Sequence, residues 1–238
     1  MITWIFAGMC DKSELLFYLC KMLSSSSARV LLIDATDRRK YPYYIGHLDQ
    51  QLLITEFSGF DVACGFDDEV HLEAHLANSG SSLAKYDYVI YDLELPEFCS
   101  SKTWEGASAR VWVTDYEIWT LEEGRRWLRE AVGRYRINGF ELEMYKVIVR
   151  AVDEWFDEAY LEGYFSHMPI RWKGDPVYIP WNEADCSLRL RNEHFRCVQM
   201  KPLTRGYKRK VCLLMQMLTD WDQKQINRVL RAAERRRA

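Results

Sequence analysis

Residues 2–36, ITWIFAGMCDKSELLFYLCKMLSSSSARVLLIDAT, decide the reading of this chain. Ile2–Ala7 is an apolar, β-rich run with no polar alternation, which predicts a strand buried on both faces. Gly8–Asp11 reads as a tight turn. Lys12–Leu23 predicts a helix. Leu15, Leu16, Leu19, Met22 and Leu23, joined by Phe17 and Tyr18, make it apolar almost all round, as in a helix covered on every side. Ser24–Ser27 is a second turn, and Arg29–Ile33 a second buried strand running into Asp34. Strand, buried helix and strand in this order make a right-handed crossover in a parallel sheet.

The same alternation continues along the chain. Further buried strands are expected at Tyr88–Tyr91, Arg110–Val113, Tyr145–Val149 and Val177–Ile179, with a weaker one near Leu52–Thr55 or Asp61–Ala63. Helices are expected over Asp68–Leu76, Leu121–Val132, Asp153–Phe165, Thr204–Leu218 and Asp222–Arg236. The fold class is therefore three-layer α/β, a mostly parallel sheet flanked by helices. Ile2–Ala7, Arg29–Ile33, Tyr88–Tyr91 and Arg110–Val113 should be adjacent in it. Residues 1–200 form the α/β domain and residues 201–238 a helical extension packed on it.

Composition excludes several classes. A hydrophobic fraction of 48% in 238 residues is too high for a disordered chain. A net charge of −3 carries no global signature of nucleic-acid binding. No apolar run approaches the roughly 20 residues of a membrane span. MITWIFAGMCDKSELL lacks a basic n-region and reads as mature protein, not a signal peptide. Seven scattered cysteines without a C-x-x-C pair suit reduced thiols in a cytoplasmic protein. His71 and His75 have metal-ligand spacing but no third ligand nearby, and read as one partly exposed helix face. No nucleophile elbow or Ser/His/Asp signature stands out.

The turn at Gly8–Asp11 sits where a phosphate loop would. Such a loop needs G-x-x-x-x-G-K-[ST], because bare backbone N–H groups must wrap the phosphates. Lys12-Ser13 fits the end of that pattern, but Phe6 and Asp11 occupy the two glycine positions. Asp11 would place a negative charge against phosphate. It also reads as an ordinary helix N-cap, with Glu14 three residues on completing a capping box. Lys12 stands open between a phosphate ligand and a helix-start residue. Asp34 and Asp92, at the carboxyl ends of buried strands, read either as site acids or as caps of neighbouring loops.

The order of strand, Lys-Ser turn and helix, then RVLLIDAT, YDYVIYDLELPE, ARVWVTDYE, YKVIVRAV and VYIPWNEAD, resembles the MinD/ParA-like ATPases of the deviant Walker A class. It looks most like the divergent members that position pili, flagella or secretion machines, the TadZ/CpaE and FlhG type. The resemblance runs from about Ile2 to Asp185. It implies a nucleotide site made of Gly8, Lys12, Ser13, Asp34, Asp92 and Pro180, binding ATP or ADP, with Ser13 and Asp92 on Mg²⁺. Departures matter equally. Thr36 stands where the family's water-organising acid falls, Ala7 where its signature lysine falls, and Arg150 near its adenine-reading asparagine. Ile179-Pro180-Trp181-Asn182 matches the turn that closes over the base. These losses imply absent or very weak ATP hydrolysis.

The resemblance also implies that the region after the second strand faces a dimer partner. There the loop Arg38–Tyr44 joins basic and aromatic residues, with Arg38, Arg39, Tyr43 and Tyr44 as the interface. Partner surface or solvated loop are both open readings. The tryptophans Trp104, Trp119 and Trp172 lie in or near expected loops, where they either mark a partner surface or simply pack. At the C-terminus, Trp221, Gln225, Val229 and Ala232 approximate one face of a basic helix. That helix would touch an anionic membrane surface or simply end the fold. The leading expectation is a MinD/ParA-like protein with a degenerate ATP site. It would act as a homodimer or by docking to a pilus, secretion or motility ATPase. A genuine ATPase with a remodelled loop, and a regulatory module unrelated to such machinery, are the alternatives.

Overall fold

In a computed structural model, residues 1–46, 52–135, 142–152 and 158–235 are described. Their strands are β1 (Ile2–Ala7), β2 (Val30–Ala35), β3 (Ile54–Phe57), β4 (Phe60–Ala63), β5 (Tyr88–Leu93), β6 (Ala109–Thr114), β7 (Leu142–Ala151), β8 (Ile170–Trp172) and β9 (Val177–Pro180). They form one sheet in the order β3-β4-β2-β5-β1-β6-β7-β8, with β9 also paired to β7. Every pairing is parallel except β3–β4. The four central strands are the four expected to be neighbours.

The apolar runs are two-sided, as a parallel sheet requires. Trp4, Phe6, Val30, Leu32, Tyr88 and Ile90 face one core. The residues between them, Ile5, Ala7, Leu31, Ile33, Val89 and Tyr91, face the other. The first core is roofed by α1 (Ser13–Ser25), α7 (Glu183–Phe195), α8 (Arg205–Leu218) and α9 (Gln223–Arg235). The second is roofed by α3 (Glu69–Asn78), α4 (Ser101–Gly106), α5 (Ile118–Tyr135) and α6 (Glu158–Phe165). α1 touches β2, β4 and β5 on one side and α8 and α9 on the other, which explains its apolar circumference.

Several expectations are corrected. β2 and β5 run past their apolar stretches to include Asp34 and Asp92, because the backbone ladder continues where hydrophobicity stops. The two alternative weak strands both form, as a hairpin turning at Ser58-Gly59. Both turn residues have positive φ, 53° and 96°, as a two-residue turn matched to strand twist requires. Part of the expected Arg38–Tyr44 loop is the short helix α2 (Tyr41–Ile45), started by Pro42 in its first turn. α4 and α7 were not visible as periodic patterns. α7 buries few residues (Asp185, Leu188 and Asn192), so its sequence carries almost no stripe. Its signal was the cap: Asn182 accepts from the N–H groups of Ala184 and Asp185.

Trp104 is core, not surface, stacked on Tyr135 at 4.3 Å. The helix expected over Asp153–Phe165 is described from Glu158. Its start, with Trp155 and Phe156, lies outside the described residues. α9 buries Ile226, Val229 and Ala233 rather than the face through Gln225 and Ala232, and this face packs on α1. Lys208 on α8 pairs with Glu234 on α9 at 2.6 Å. Arg236 and Arg237 lie outside the described residues. Among the described residues, no helix is long and apolar enough to cross a membrane.

Candidate functional site

Parallel strands bring their carboxyl ends to one edge, and the loops leaving that edge build the site. Gly8 leaves β1, Thr36 leaves β2, Glu94 leaves β5, Asp115 leaves β6 and Trp181 leaves β9. Gly8 has φ +145°, and a Cβ there would lie 1.9 Å from the Val113 carbonyl oxygen. Only glycine lets the chain turn out of β1 against the backbone of β6.

Lys12 does not reach outward. Its Nζ lies 2.6 Å from Asp92 Oδ1 and donates to the Gly8 carbonyl at 2.8 Å. Both side chains are buried. Burial opposes the lysine charge, but Asp92, then Glu94, hold its pKa above the ordinary value. Tyr41 on α2 donates to the other Asp92 oxygen at 2.6 Å. The lysine and the strand-end acid, which in a phosphate site would face ligand and metal, neutralise each other here.

Asp11 organises the other half. Its Oδ1 accepts from Ser13 N–H at 3.2 Å and from the Ser13 hydroxyl at 2.7 Å. Its Oδ2 meets Lys40 Nζ at 3.0 Å and accepts from the Tyr44 hydroxyl at 3.3 Å. Burial pushes the carboxyl up, yet the hydrogen bonds from Ser13 and Lys40 hold it well below the usual range. These bonds tie Asp11 to the first turn of α1, but the N-cap position is Lys12, which makes no side-chain cap bond, so neither the N-cap nor the capping-box reading of Asp11 holds. Glu14 accepts from Tyr18 instead of reaching back, and burial raises its pKa to about 7. Asp34 accepts from Thr36 N–H and hydroxyl, which makes it a turn cap, and burial raises it to about 6. The space among Asp11, Lys12, Ser13, Tyr41, Asp92 and Glu94 is only about 10 Å³. That is barely the volume of one water.

A crevice of about 270 Å³ opens beside this filled corner. Its walls include Lys12, Arg150, Pro180, Trp181, Asp185 and Arg189. Ligand pockets begin near about 300 Å³, so it could take one small ring system. Arg150 sits at its mouth with φ +54°, next to a register shift between β7 and β9. It is ion-paired with Asp115 and donates to the Asp11 carbonyl at 3.4 Å.

The structure therefore brings Gly8, Lys12, Ser13, Asp34 and Asp92 together in one corner and sets Pro180 on the adjoining crevice. It also adds residues that sequence reading missed. Tyr41 and Lys40 belonged to the basic-aromatic loop and turn inward. Glu94 and Asp115 carry the same signal as Asp34 and Asp92, an acid ending a buried strand. Burial raises Glu94 to about 7, and it accepts from Asp37 N–H at 3.1 Å. Of the expected interface residues, Tyr44 is half-buried with its ring against Phe17. Arg38, Arg39 and Tyr43 are exposed. Arg39 pairs with Asp67 at 2.7 Å, and Arg38 lies over the Trp119 ring at 5.3 Å. Ile118, Trp119 and Trp181, all leaving the same edge, are at least half exposed.

This sheet order, with a lysine turn leading from β1 into a buried helix, defines a P-loop architecture of the MinD/ParA type. Solved structures agree along nearly the whole chain. McdA of Cyanothece without nucleotide aligns with 98% of this chain and 99% of its own, at TM-score 0.53 and 17% identity. A Borrelia burgdorferi B31 plasmid partition protein bound to AMPPNP aligns with 96% and 98%, at TM-score 0.55 and 14% identity. MinD of Aquifex aeolicus in complex with MinC aligns with 99% and 95%, at TM-score 0.52 and 12% identity. No protein-family model and no curated protein matches the chain in sequence. The chain has the MinD/ParA-like P-loop fold.

Proposed function

We propose that this chain is a MinD/ParA-like positioning protein that works by docking, as a homodimer or on a partner ATPase, and turns over little or no ATP. The partner expected from the resemblance is a component of a pilus, secretion or motility apparatus. One observation carries the reading: the Lys12–Asp92 pair, capped by Tyr41, fills the corner where phosphate and Mg²⁺ would sit. As built, that corner does not fit a triphosphate. The lysine is spent on Asp92, the Ser13 hydroxyl on Asp11, and a carboxylate replaces a loop glycine. Phosphoryl transfer depends on positioning and charge neutralisation, and both are lost here.

Docking is supported by the same edge of the sheet. Tyr43, Ile118, Trp119 and Trp181 are exposed around it with Arg38 and Arg39, residue types enriched at interface centres. The test pairs light scattering with calorimetry. Self-association, or recovery of a partner by the intact chain, is expected without a nucleotide requirement. A monomer at high concentration that recovers no partner overturns it, as does steady ATP turnover abolished by Lys12→Ala.

The open crevice favours a second reading, a remodelled nucleotide site that still binds ATP or ADP with Mg²⁺. Its wall at Ile179–Asn182 matches the family's base-closing turn, and one structural neighbour is bound to AMPPNP. In that case Asp11→Gly tightens ATP binding, because it removes a like charge and frees Ser13 and Lys40. Unchanged affinity shows that the turn no longer faces phosphate.

A further inference from the structure

The charge of this chain is strongly divided. Residues 1–200 carry 21 Lys and Arg against 32 Asp and Glu, a net of −11. Residues 201–238 carry 11 against 3, a net of +8. Much of that excess lies on α8 and α9, and the fold does not use it. Lys208 is paired with Glu234, while Arg205, Arg209, Arg228 and Arg231 project as exposed side chains. An unneutralised cluster repels itself, so the fold gains nothing from holding it together.

Between the two helices runs an open groove of about 500 Å³. Its lining is basic at Arg205, Arg209 and Lys210 and apolar at Cys212, Leu213 and Leu230. Leu213 is 40% exposed. No acid lines the groove among the described residues, and Lys208 on its wall is paired with Glu234.

The geometry points to this groove as a docking site for an acidic, amphipathic segment of a partner protein, with its apolar side chains on Leu213 and Leu230 and its carboxylates on Arg205 and Arg209. A groove lined by both apolar and cationic side chains suits helix-in-groove recognition. Nucleic acid fits it less well. A phosphate backbone has nothing to place on Leu213 and Leu230, and among the described residues no aromatic side chain lines the groove for bases to stack on. A membrane surface also fits poorly, because α9 turns its apolar residues Ile226, Val229 and Ala233 inward and so presents no broad apolar face. The site is separate from the strand-end edge and stands whether or not that edge docks anything.

The test uses the intact chain against a displayed library of short random peptides, with duplex DNA and phosphatidylserine vesicles as parallel probes. The expected result is enrichment of peptides rich in Asp and Glu with apolar residues at helical spacing. Arg205→Glu with Arg209→Glu, and separately Leu213→Asp, should each weaken the enriched peptides by about tenfold. Circular dichroism should show both variants folded, since all three positions are exposed. Two results overturn the proposal. One is the absence of acidic amphipathic enrichment, or enriched peptides insensitive to both variants. The other is binding of DNA or vesicles that the charge reversal abolishes and Leu213→Asp leaves intact, which would make the face a general polyanion surface.

Discussion

Lys12→Ala separates a phosphate ligand from a structural cation. In a working phosphate site the lysine faces ligand, so its removal costs activity and little stability. Here Nζ lies 2.6 Å from Asp92 Oδ1, with both groups buried. At an effective dielectric near 20, that separation gives about 6 kcal/mol of attraction. Desolvation of the two ions consumes most of it, so the net value of the pair is small. Removing one partner is different, because it strands a buried carboxylate at a cost of about 3–5 kcal/mol. In a domain this size the thermal midpoint should fall by roughly 6–20 °C at pH 7. The loss should shrink toward pH 4, because protonating the stranded Asp92 removes the buried charge. A Lys12→Met, Asp92→Leu double variant should recover much of the loss, since apolar groups can replace a buried pair at little cost. Urea denaturation of wild type, Lys12→Met, Asp92→Leu and the double variant gives the coupling energy directly. A Lys12→Ala protein within about 0.5 kcal/mol of wild type would refute the reasoning.

Glu94→Gln should raise stability above pH 7 by roughly 1–3 kcal/mol, with the gain shrinking below about 1 kcal/mol toward pH 5. Burial raises Glu94 to about 7, so its favourable protonated state is lost as pH rises through that value, while glutamine keeps the acceptor for Asp37 N–H. Denaturation curves at the two pH values decide, and a gain that is equal at both would refute it. Gly8→Ala should cost more than about 3 kcal/mol, because the added Cβ meets the Val113 carbonyl and φ is positive. A well-folded variant with an unchanged midpoint would contradict the close approach of β1 and β6. Arg39→Ala with Tyr43→Ala should weaken assembly measured by sedimentation and leave the midpoint nearly unchanged, since both side chains are exposed. Assembly at wild-type strength would remove this edge as the docking surface.

The sheet was legible because a strand buried on both faces must be apolar at every position. Ile2–Ala7 and Val30–Ile33 have no other reading. Adjacency and parallel sense then followed from crossover length, while the order β2-β5-β1-β6 did not. Where burial was one-sided or partial, the pattern faded. β3 is mostly half-exposed and α7 buries mainly polar residues, so neither carries a stripe. Trp104 shows the opposite failure. Its neighbours Ser100, Lys102 and Glu105 are polar, and nothing local says that its ring would stack on Tyr135.

The site was legible as a place but not as a state. A lysine after a glycine turn and acids at two strand ends located the corner, because a parallel sheet brings those positions to one edge whatever their chemistry. Whether Lys12 faces a ligand or Asp92 depends on what covers it, and the cover comes from a segment 29 residues away. In sequence, Tyr41 and Lys40 belong to one basic-aromatic loop with Arg38, Arg39 and Tyr43. Yet Pro42 starts a helical turn whose first residue points down onto Asp92, while Lys40 reaches Asp11. Only the turn's later residue, Tyr43, remains outside. Within the same seven residues, Lys40 and Tyr41 thus close the Asp11–Asp92 corner while Arg38, Arg39 and Tyr43 face solvent. Any partner that engages Tyr43 and Arg39 therefore acts on the element that caps the Lys12–Asp92 pair, so docking at this edge and the packing of that buried pair draw on one short segment.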